Sequence, residues 1–247
     1  MFNTLLTYRV LFALLLVVWL SPFVPAQTPP PSYGSAKALL ANLHTEIDHQ
    51  YTLYCRCAYT RTTESGGNIN QETCSTSGKI INWEHVVPAS RFGQPRACWA
   101  LKDLAYPVQC AGEQNGRDCC QDSNPHFGRA DADPNNLFPS VDTINHARHN
   151  HAFGAVAGEA RDYGACNVEL SATADGLQTF EPPEGAVRGT LARAMLYMAE
   201  VYGADLRLPL NEIWDWHIQN PPEAWEIERA RLIAEHTGLR NRWILGP

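Results

Sequence analysis

Two neighbouring polar residues in an apolar setting are the first candidates for chemistry. Glu84 and His85 stand side by side in residues 83–88, Trp-Glu-His-Val-Val-Pro, near the end of a segment rich in strand-forming residues. Apolar residues surround them, so they do not belong to a solvated charged face. A second segment, residues 133–139, places the side-chain amide of Asn136 in the first turn of a predicted helix, again among apolar residues.

These residue types suit metal-assisted hydrolysis of a phosphodiester bond. Histidine has an unperturbed pKa of about 6.5, so near pH 7 it is largely neutral and can take a proton from water. Mg²⁺ prefers carboxylate and amide oxygens, and such a cation offsets charge on the phosphate. We therefore predict His85 as general base, with Glu84 and Asn136 binding one Mg²⁺; Mn²⁺ and Ca²⁺ stay open as substitutes. Because adjacent strand residues point to opposite faces, the strand must twist or end near Pro88.

The N-terminus predicts export. Arg9 precedes an apolar run over residues 10–20 and a small-residue exit ending at Ala26, which is typical of a cleaved signal peptide. The run is too short to favour the alternative, a transmembrane anchor. We expect a signal peptide at 1–26, a disordered lead-in at 27–34 and one domain at 35–247. The expected location is periplasmic or secreted, without membrane contact after cleavage.

The cysteines agree with export. All eight follow the predicted signal peptide, and an even number in an exported chain predicts a disulfide framework. Zinc is the competing interpretation, but no Cys-x-x-Cys pair is present. The spacing leaves the pairing open. The cysteines are Cys55, Cys57, Cys74, Cys98, Cys110, Cys119, Cys120 and Cys166.

The charge balance is acidic. With 26 acidic and 19 basic residues the net charge is −7, and loss of Arg9 with the signal peptide makes it −8. Nucleic-acid-binding domains are typically basic, so any anion site must be a local patch. The candidate substrate contacts are Arg148, Asn150, Arg188 and Arg193.

Hydrophobic periodicity predicts a helix-rich α+β domain stabilised by disulfides. In the first helix Ser35 is the predicted N-cap, and Leu39, Leu43 and Ile47 share one face. The predicted segments are a helix at 35–50, an extended segment at 51–59, a hairpin or loop at 62–77, a strand at 79–87, an irregular region at 96–134, a turn at 135–138, and helices at 139–153, 186–202, 210–218 and 222–235.

The run at residues 83–89, Trp-Glu-His-Val-Val-Pro-Ala, resembles the bacterial endonuclease I family of periplasmic and secreted nucleases. The likeness continues in order through most of the chain after the predicted signal peptide. The supporting matches are Phe92-Gly93, Cys98-Trp99, residues 133–141, Asn145, Arg148, Asn150, Tyr163-Gly164, Cys166, residues 181–183, Arg188-Gly189, Ala192-Arg193, Tyr197-Met198, Trp225-Glu226 and Glu228-Arg229.

The resemblance implies a ββα-metal (His-Me finger) site within a mixed domain. It implies that His85 is the general base, that Glu84 and Asn136 hold magnesium, and that an arginine before a cysteine contacts the phosphate near the leaving group. Arg117 is the best match for that arginine. The implied reaction is one-metal, sequence-nonspecific cleavage of single- and double-stranded DNA, and of RNA, that leaves 5′-phosphate ends. We expect a monomer.

Two departures from the family pattern bear on the site. Asn135 stands where the family usually has histidine, a change expected to affect packing rather than the metal. The cysteine set also differs, so no pairing is carried over.

Two alternatives stay open. One is a secreted nucleic-acid-binding protein that kept this scaffold without activity. The other is a zinc-dependent hydrolase that uses the cluster His146, His149 and His151, although neighbouring histidines on a helix do not all face one point.

Overall fold

A computed structural model describes residues 28–100, 110, 115–158, 160–172 and 178–247. The predicted signal peptide lies outside these described residues. Helix α1 spans Tyr33–Glu46 and begins two residues earlier than predicted, because Ser32, not Ser35, is its N-cap: the Ser32 hydroxyl accepts a hydrogen bond from the Ser35 N–H at 3.2 Å. The predicted lead-in therefore already contains the first turn of this helix.

The segment after α1 departs from the prediction of a long extended strand. Asp48 and Arg56 have positive φ angles of 51° and 53°, which end the helix and fold the chain into a tight loop. Regular pairing begins only at β1, Tyr59–Arg61, which forms an antiparallel hairpin with β2, Gly67–Ile69.

At the centre of the fold, β3 (Ile81–His85) pairs antiparallel with β4 (Leu137–Val141), and α5 (Asp142–Arg148) follows directly. The prediction of β3 is confirmed, but the prediction of a helix from Pro139 is wrong at its start. All five residues of β4 are buried, and the ladder with β3 outweighs the helix-start signal. Pro139 is tolerated because β4 is an edge strand among the residues that the structure describes, and the Pro139 carbonyl accepts a hydrogen bond from the Leu53 N–H at 2.7 Å.

One short helix follows β3, and three short helical segments replace part of the predicted irregular region. Helix α2 spans Ala89–Gly93, a 3-10 turn spans Ala97–Trp99, α3 spans Gly116–Ser123 and α4 spans Pro125–Asp131. The side chains of Asn115 and Asn124 cap α3 and α4. These are local signals that the prediction passed over.

The disulfides are Cys55–Cys166, Cys57–Cys74, Cys98–Cys120 and Cys110–Cys119, so all eight cysteines are paired, as predicted. The last two attach α3 through adjacent residues, Cys119 and Cys120. They fix this eight-residue helix, which is too short to be stable alone.

The remaining elements follow the sequence more closely. A three-stranded sheet has the order β5-β7-β6, with β5 at Ala152–Phe153, β6 at Glu169–Ala172 and β7 at Gln178–Glu181. Helices α6 (Ala186–Tyr202), α7 (Leu210–Gln219) and α8 (Ala224–Thr237) confirm the predictions, and α9 spans Arg242–Leu245.

Two apolar cores support the central strands. The larger one extends from the disulfide-bonded segments to α6, and the smaller one joins α1, Trp83, Leu137 and α8. The α+β class is thus confirmed. Within the described ranges, every helix is too short or too polar to cross a bilayer.

Candidate functional site

A cavity of about 250 Å³ opens beside the end of β3. Its polar lining comes from four separate parts of the chain, which the central strands bring together. These residues include Tyr33 of α1, Glu84 and His85 of β3, Arg117 of α3, Asn145 of α5, and His149 just beyond α5.

Adjacent strand residues share this cavity without breaking the alternation of the strand. Trp83 packs into the smaller core, and the His85 ring stacks on Tyr33 of α1 with centroids 5.0 Å apart. Glu84 faces the other way, toward Tyr54. Both Glu84 and His85 reach the cavity because β3 ends at His85 and Pro88 follows, as the sequence required.

Glu84 is a buried carboxylate, and its contacts with Tyr54 and Arg148 involve one and the same oxygen. Its Oε1 accepts a hydrogen bond from the Tyr54 hydroxyl at 2.6 Å and lies 3.3 Å from Arg148 Nε. Burial raises the pKa of Glu84, while Arg148 and the Tyr54 hydrogen bond act to lower it. Within the described ranges Oε2 has no hydrogen-bond partner. That oxygen is therefore available to a ligand in the cavity.

Arg148 is a positioning residue, not the substrate contact that the sequence suggested. Only 2% of its surface is exposed. Its guanidinium donates to the carbonyls of His85 at 3.2 Å and Val86 at 2.6 Å, and it lies over the Phe153 ring at 4.5 Å. The prediction is corrected because a side chain enclosed by protein on all sides cannot reach a nucleic-acid backbone. Arg148 instead fixes the end of β3.

The tautomer of His85 is set by the Asp131 main chain. His85 Nε2 lies 2.8 Å from the Asp131 carbonyl oxygen, which can only accept, so Nε2 carries the proton and Nδ1 keeps its lone pair. Burial lowers the pKa of His85 to about 4, a shift that the Asp131 carboxylate partly opposes. The imidazole is therefore neutral near pH 7, in the form that a base requires.

Arg117 lies at the cavity, as the resemblance implied. Its Nη2 and Nε lie 2.9 and 3.1 Å from Asp131 Oδ1, and its side chain stays one-third exposed. Asp131 therefore joins Arg117 to His85, and Gln121 holds the other carboxylate oxygen at 2.6 Å. Asp131 was not predicted from the sequence, because nothing in its neighbourhood along the chain marks a residue that acts through both its carbonyl and its carboxylate.

Asn136, the predicted second metal ligand, is not among the residues that line the cavity. It is fully buried, its Oδ1 accepts from the Val87 N–H at 2.8 Å, and its Nδ2 donates to the Val87 carbonyl at 2.9 Å. Both polar atoms are thus committed to the main chain. Asn145 presents an amide to the cavity instead, from the helix that follows β4. Asn145 lies one helical turn into α5, and this position could have indicated a residue that faces the site. The prediction placed the start of the helix at Pro139 instead, so Asn145 was not recognised.

The other predicted substrate contacts lie away from the cavity lining. Arg193 is fully buried and pairs with Glu226 through two contacts of 2.6 Å, so a role in DNA contact is excluded by its burial. Arg188 pairs with Glu181 at 2.9 Å and lines a different cavity beside Trp216. Asn150 bonds His149 Nδ1 at 2.8 Å.

The polar groups that line the cavity favour one kind of metal ion. Across the described residues, no group of three or more His, Cys, Asp or Glu side chains is placed to hold a metal ion, so the zinc alternative built on His146, His149 and His151 lacks its ligands. A free carboxylate oxygen of Glu84 and the amide of Asn145 fit a hard cation that keeps several waters, such as Mg²⁺. Asn135 serves packing, as expected: its side chain contacts Asp133 Oδ1 and the Leu239 carbonyl.

The chain is similar to known nucleases over most of its length. Residues 33–247 match the family model described as Endonuclease I. A periplasmic deoxyribonuclease of Aeromonas hydrophila is 33% identical over 204 residues, which cover 79% of this chain and 78% of the relative. An extracellular deoxyribonuclease of the same organism is 31% identical over 244 residues, covering 95% and 98%. Endonuclease-1 of Buchnera aphidicola subsp. Acyrthosiphon pisum (strain APS) is 31% identical over 167 residues, covering 66% and 59%. The family match spans most of the sequence, and the chain belongs to the endonuclease I family.

Proposed function

We propose that this chain is a periplasmic or secreted endonuclease that hydrolyses phosphodiester bonds in DNA. The observation that carries the proposal is the pairing at the end of β3. There a neutral imidazole with its Nδ1 lone pair available stands next to a carboxylate with one uncommitted oxygen. Relatives that cover most of this chain are named as periplasmic and extracellular deoxyribonucleases, which supports DNA as substrate and export as destination.

The protein groups divide the work as follows. His85 takes a proton from the attacking water at Nδ1, and its Nε2–H bond to Asp131 keeps the ring in place while it becomes charged. Arg117, one-third exposed and anchored by Asp131, offers its guanidinium to the phosphate. Arg148 holds Glu84 and the main chain of residues 85 and 86 rigidly, so no reorganisation is needed when charge develops.

We propose Glu84 and Asn145, in place of Asn136, as the protein ligands of one Mg²⁺. When bound, the ion supplies charge stabilisation at the scissile phosphate and the departing oxygen. The order β3, β4, α5 supports a ββα-metal arrangement, since two antiparallel strands carry the base and one ligand while the helix carries the other. A site with only two proposed protein ligands also suits Mg²⁺, because this cation keeps several of its water molecules when bound.

Recognition through phosphate and sugar explains why we propose cleavage without sequence preference, on single- and double-stranded DNA and on RNA. Arg117 gives the cavity lining a cation that can contact a phosphate whatever the neighbouring base is. We further propose that products carry 5′-phosphates, and end-labelling of digested oligonucleotides by a kinase, with and without phosphatase, tests this directly.

The main test is nicking of supercoiled plasmid with Mg²⁺, with chelator, and by two variants. We expect chelator to abolish cutting and His85→Ala to lower the rate by about 10²- to 10⁴-fold while folding is kept. Asn145→Ala should raise the Mg²⁺ concentration needed for half-maximal rate. Full activity of His85→Ala would refute the base assignment. DNA binding without chelator-sensitive cutting by the wild-type chain would favour the alternative of an inactive binding protein.

A further inference from the structure

The start of α1 brings a cationic side chain close to the catalytic cavity. Lys37 Nζ lies 4.4 Å from the centroid of the Tyr33 ring. The same ring stacks on His85 and has the Arg117 guanidinium 4.9 Å from its centroid. Lys37 is thus separated from the base and from the phosphate-binding arginine by a single aromatic side chain.

Among the described residues, Lys37 has no acidic partner, whereas several other cations of this acidic protein do. In the described part of the chain, exposed arginines such as Arg56, Arg207 and Arg231 are neutralised by neighbouring carboxylates. No carboxylate of the described residues lies within ion-pair distance of Lys37, and its helix has no acidic residue in its first turn. Its charge is therefore available to an anion from solution.

Tyr33 makes this cation a fixed feature rather than a mobile one. Its hydroxyl donates to the Trp83 carbonyl at 3.1 Å, which ties the ring to β3. Burial raises the pKa of Tyr33 to about 12, so the hydroxyl stays neutral and does not repel a phosphate.

We propose that Lys37, held over Tyr33, binds a backbone phosphate of the nucleic acid next to the scissile one. This rests on the proposed function and extends it by naming where the strand leaves the cavity. Lys37 Nζ and the Arg117 guanidinium lie 4.4 and 4.9 Å from the centroid of the same ring, so a phosphate at Lys37 is close along the strand to the phosphate at Arg117. The path of the strand therefore crosses the first two turns of α1.

The test measures binding apart from cleavage. A fluorescein-labelled DNA duplex is titrated with the His85→Ala variant in chelator, by fluorescence anisotropy at several NaCl concentrations. Adding Lys37→Met should weaken binding severalfold and lower the slope of log K against log salt by about one, because one phosphate contact is lost. Lys37→Arg should restore both quantities. In the active enzyme, which keeps His85, the Lys37→Met substitution should raise KM for DNA more than it lowers kcat.

Lys79→Met is the matched control, because Lys79 is an exposed lysine that does not line the cavity. It removes the same charge and should leave the salt slope unchanged. Equal effects at Lys37 and Lys79, or a normal slope for Lys37→Met, would overturn the proposal. Unfolding midpoints of all variants guard against a folding defect. Failure of the wild-type chain to cut DNA would instead count against the proposed function itself.

Discussion

The part of the chain that carries the candidate site and the C-terminal helices are stabilised in different ways. The first, residues 49–166, contains all four disulfides, short strands and the short helices α3 and α4. The second, α6–α8, has no cysteine and relies on apolar packing and on buried pairs such as Arg193–Glu226. Long helices satisfy their own main chain, so they need no covalent support.

The difference shows how the site is kept rigid on irregular elements. Arg117 lies on α3, where it is two residues from Cys119 and three from Cys120. Disulfide bonds there replace the core contacts that a longer helix would supply. We expect the two regions to fail under different stresses, reduction for the site-bearing part and loss of buried charge pairing for the helices.

The largest stability effect is expected in the cysteine-free helices. Glu226→Gln leaves the buried Arg193 without its anionic partner and weakens the hydrogen bond from Thr190. Breaking such a pair costs about 3–5 kcal/mol, because one charge stays buried and uncompensated. Urea unfolding of the oxidised protein measures it. Glu228→Gln on the same helix, whose carboxylate pairs with Arg231 in solvent, should leave the midpoint unchanged. Equal urea midpoints for Glu226→Gln and Glu228→Gln would show that the buried pair does not stabilise the C-terminal helices more than an exposed pair does.

The next effect tests the covalent support of the site. Replacing Cys98 and Cys120 with serine opens a bridge with a sequence separation of 22 and should cost about 3 kcal/mol. Because α3 loosens, kcat/KM on DNA should fall by at least about tenfold, since small displacements of positioning groups are costly. Activity is assayed well below the unfolding midpoint. Lower stability with unchanged kcat/KM would show that Arg117 does not depend on this bridge.

The smallest effect is a pH dependence of stability at the contact between α1 and the cysteine-free helices. His44 of α1 accepts a hydrogen bond from Arg229 of α8, and its pKa is lowered to about 3 by burial first and by Arg229 second. The unfolded chain binds this proton near pH 6.5, so stability is present above that pH and is lost as pH falls toward 3. His44→Gln keeps an acceptor for Arg229 and should make stability between pH 6 and pH 4 less pH-dependent by about 2 kcal/mol. If the free energy of unfolding changed with pH in the same way in the wild type and in His44→Gln, the prediction would be contradicted.

The sequence predicted best what depends on local pattern. Helices α6, α7 and α8 follow the apolar stripes and the bounding prolines and glycines, and Gly203 ends α6 with a positive φ of 65°. The pair Glu84–His85 was found because polar residues within an apolar strand are unusual. The disulfide framework followed from the number and compartment of the cysteines, whereas their pairing required the three-dimensional fold.

The missed caps at Ser32, Asn115 and Asn124 were local errors, but the errors at the site share another cause, which is that distant contacts decided the outcome. β4 is a strand because β3 pairs with it, although Pro139 in its sequence resembles the start of a helix. Asn136 looked like a ligand because an amide beside apolar residues has two explanations, and only the position of Val87 distinguishes them. Asp131 and Asn145 became visible once the ends of α4 and α5 were placed beside β3.

The amide of Asn136 acts as one more rung of a sheet. The Asn136 carbonyl accepts from the Val86 N–H at 3.0 Å, and its side chain then pairs with both polar groups of Val87, so β3 and β4 stay joined for two residues beyond the last strand residue. Replacing the amide nitrogen by oxygen would set two acceptors against each other inside the protein. Slow deamidation of Asn136 would thus break its side-chain hydrogen bond to the Val87 carbonyl and loosen the turn that follows Glu84 and His85. The protein would then lose activity through deamidation, although none of the groups that take part in the reaction had changed.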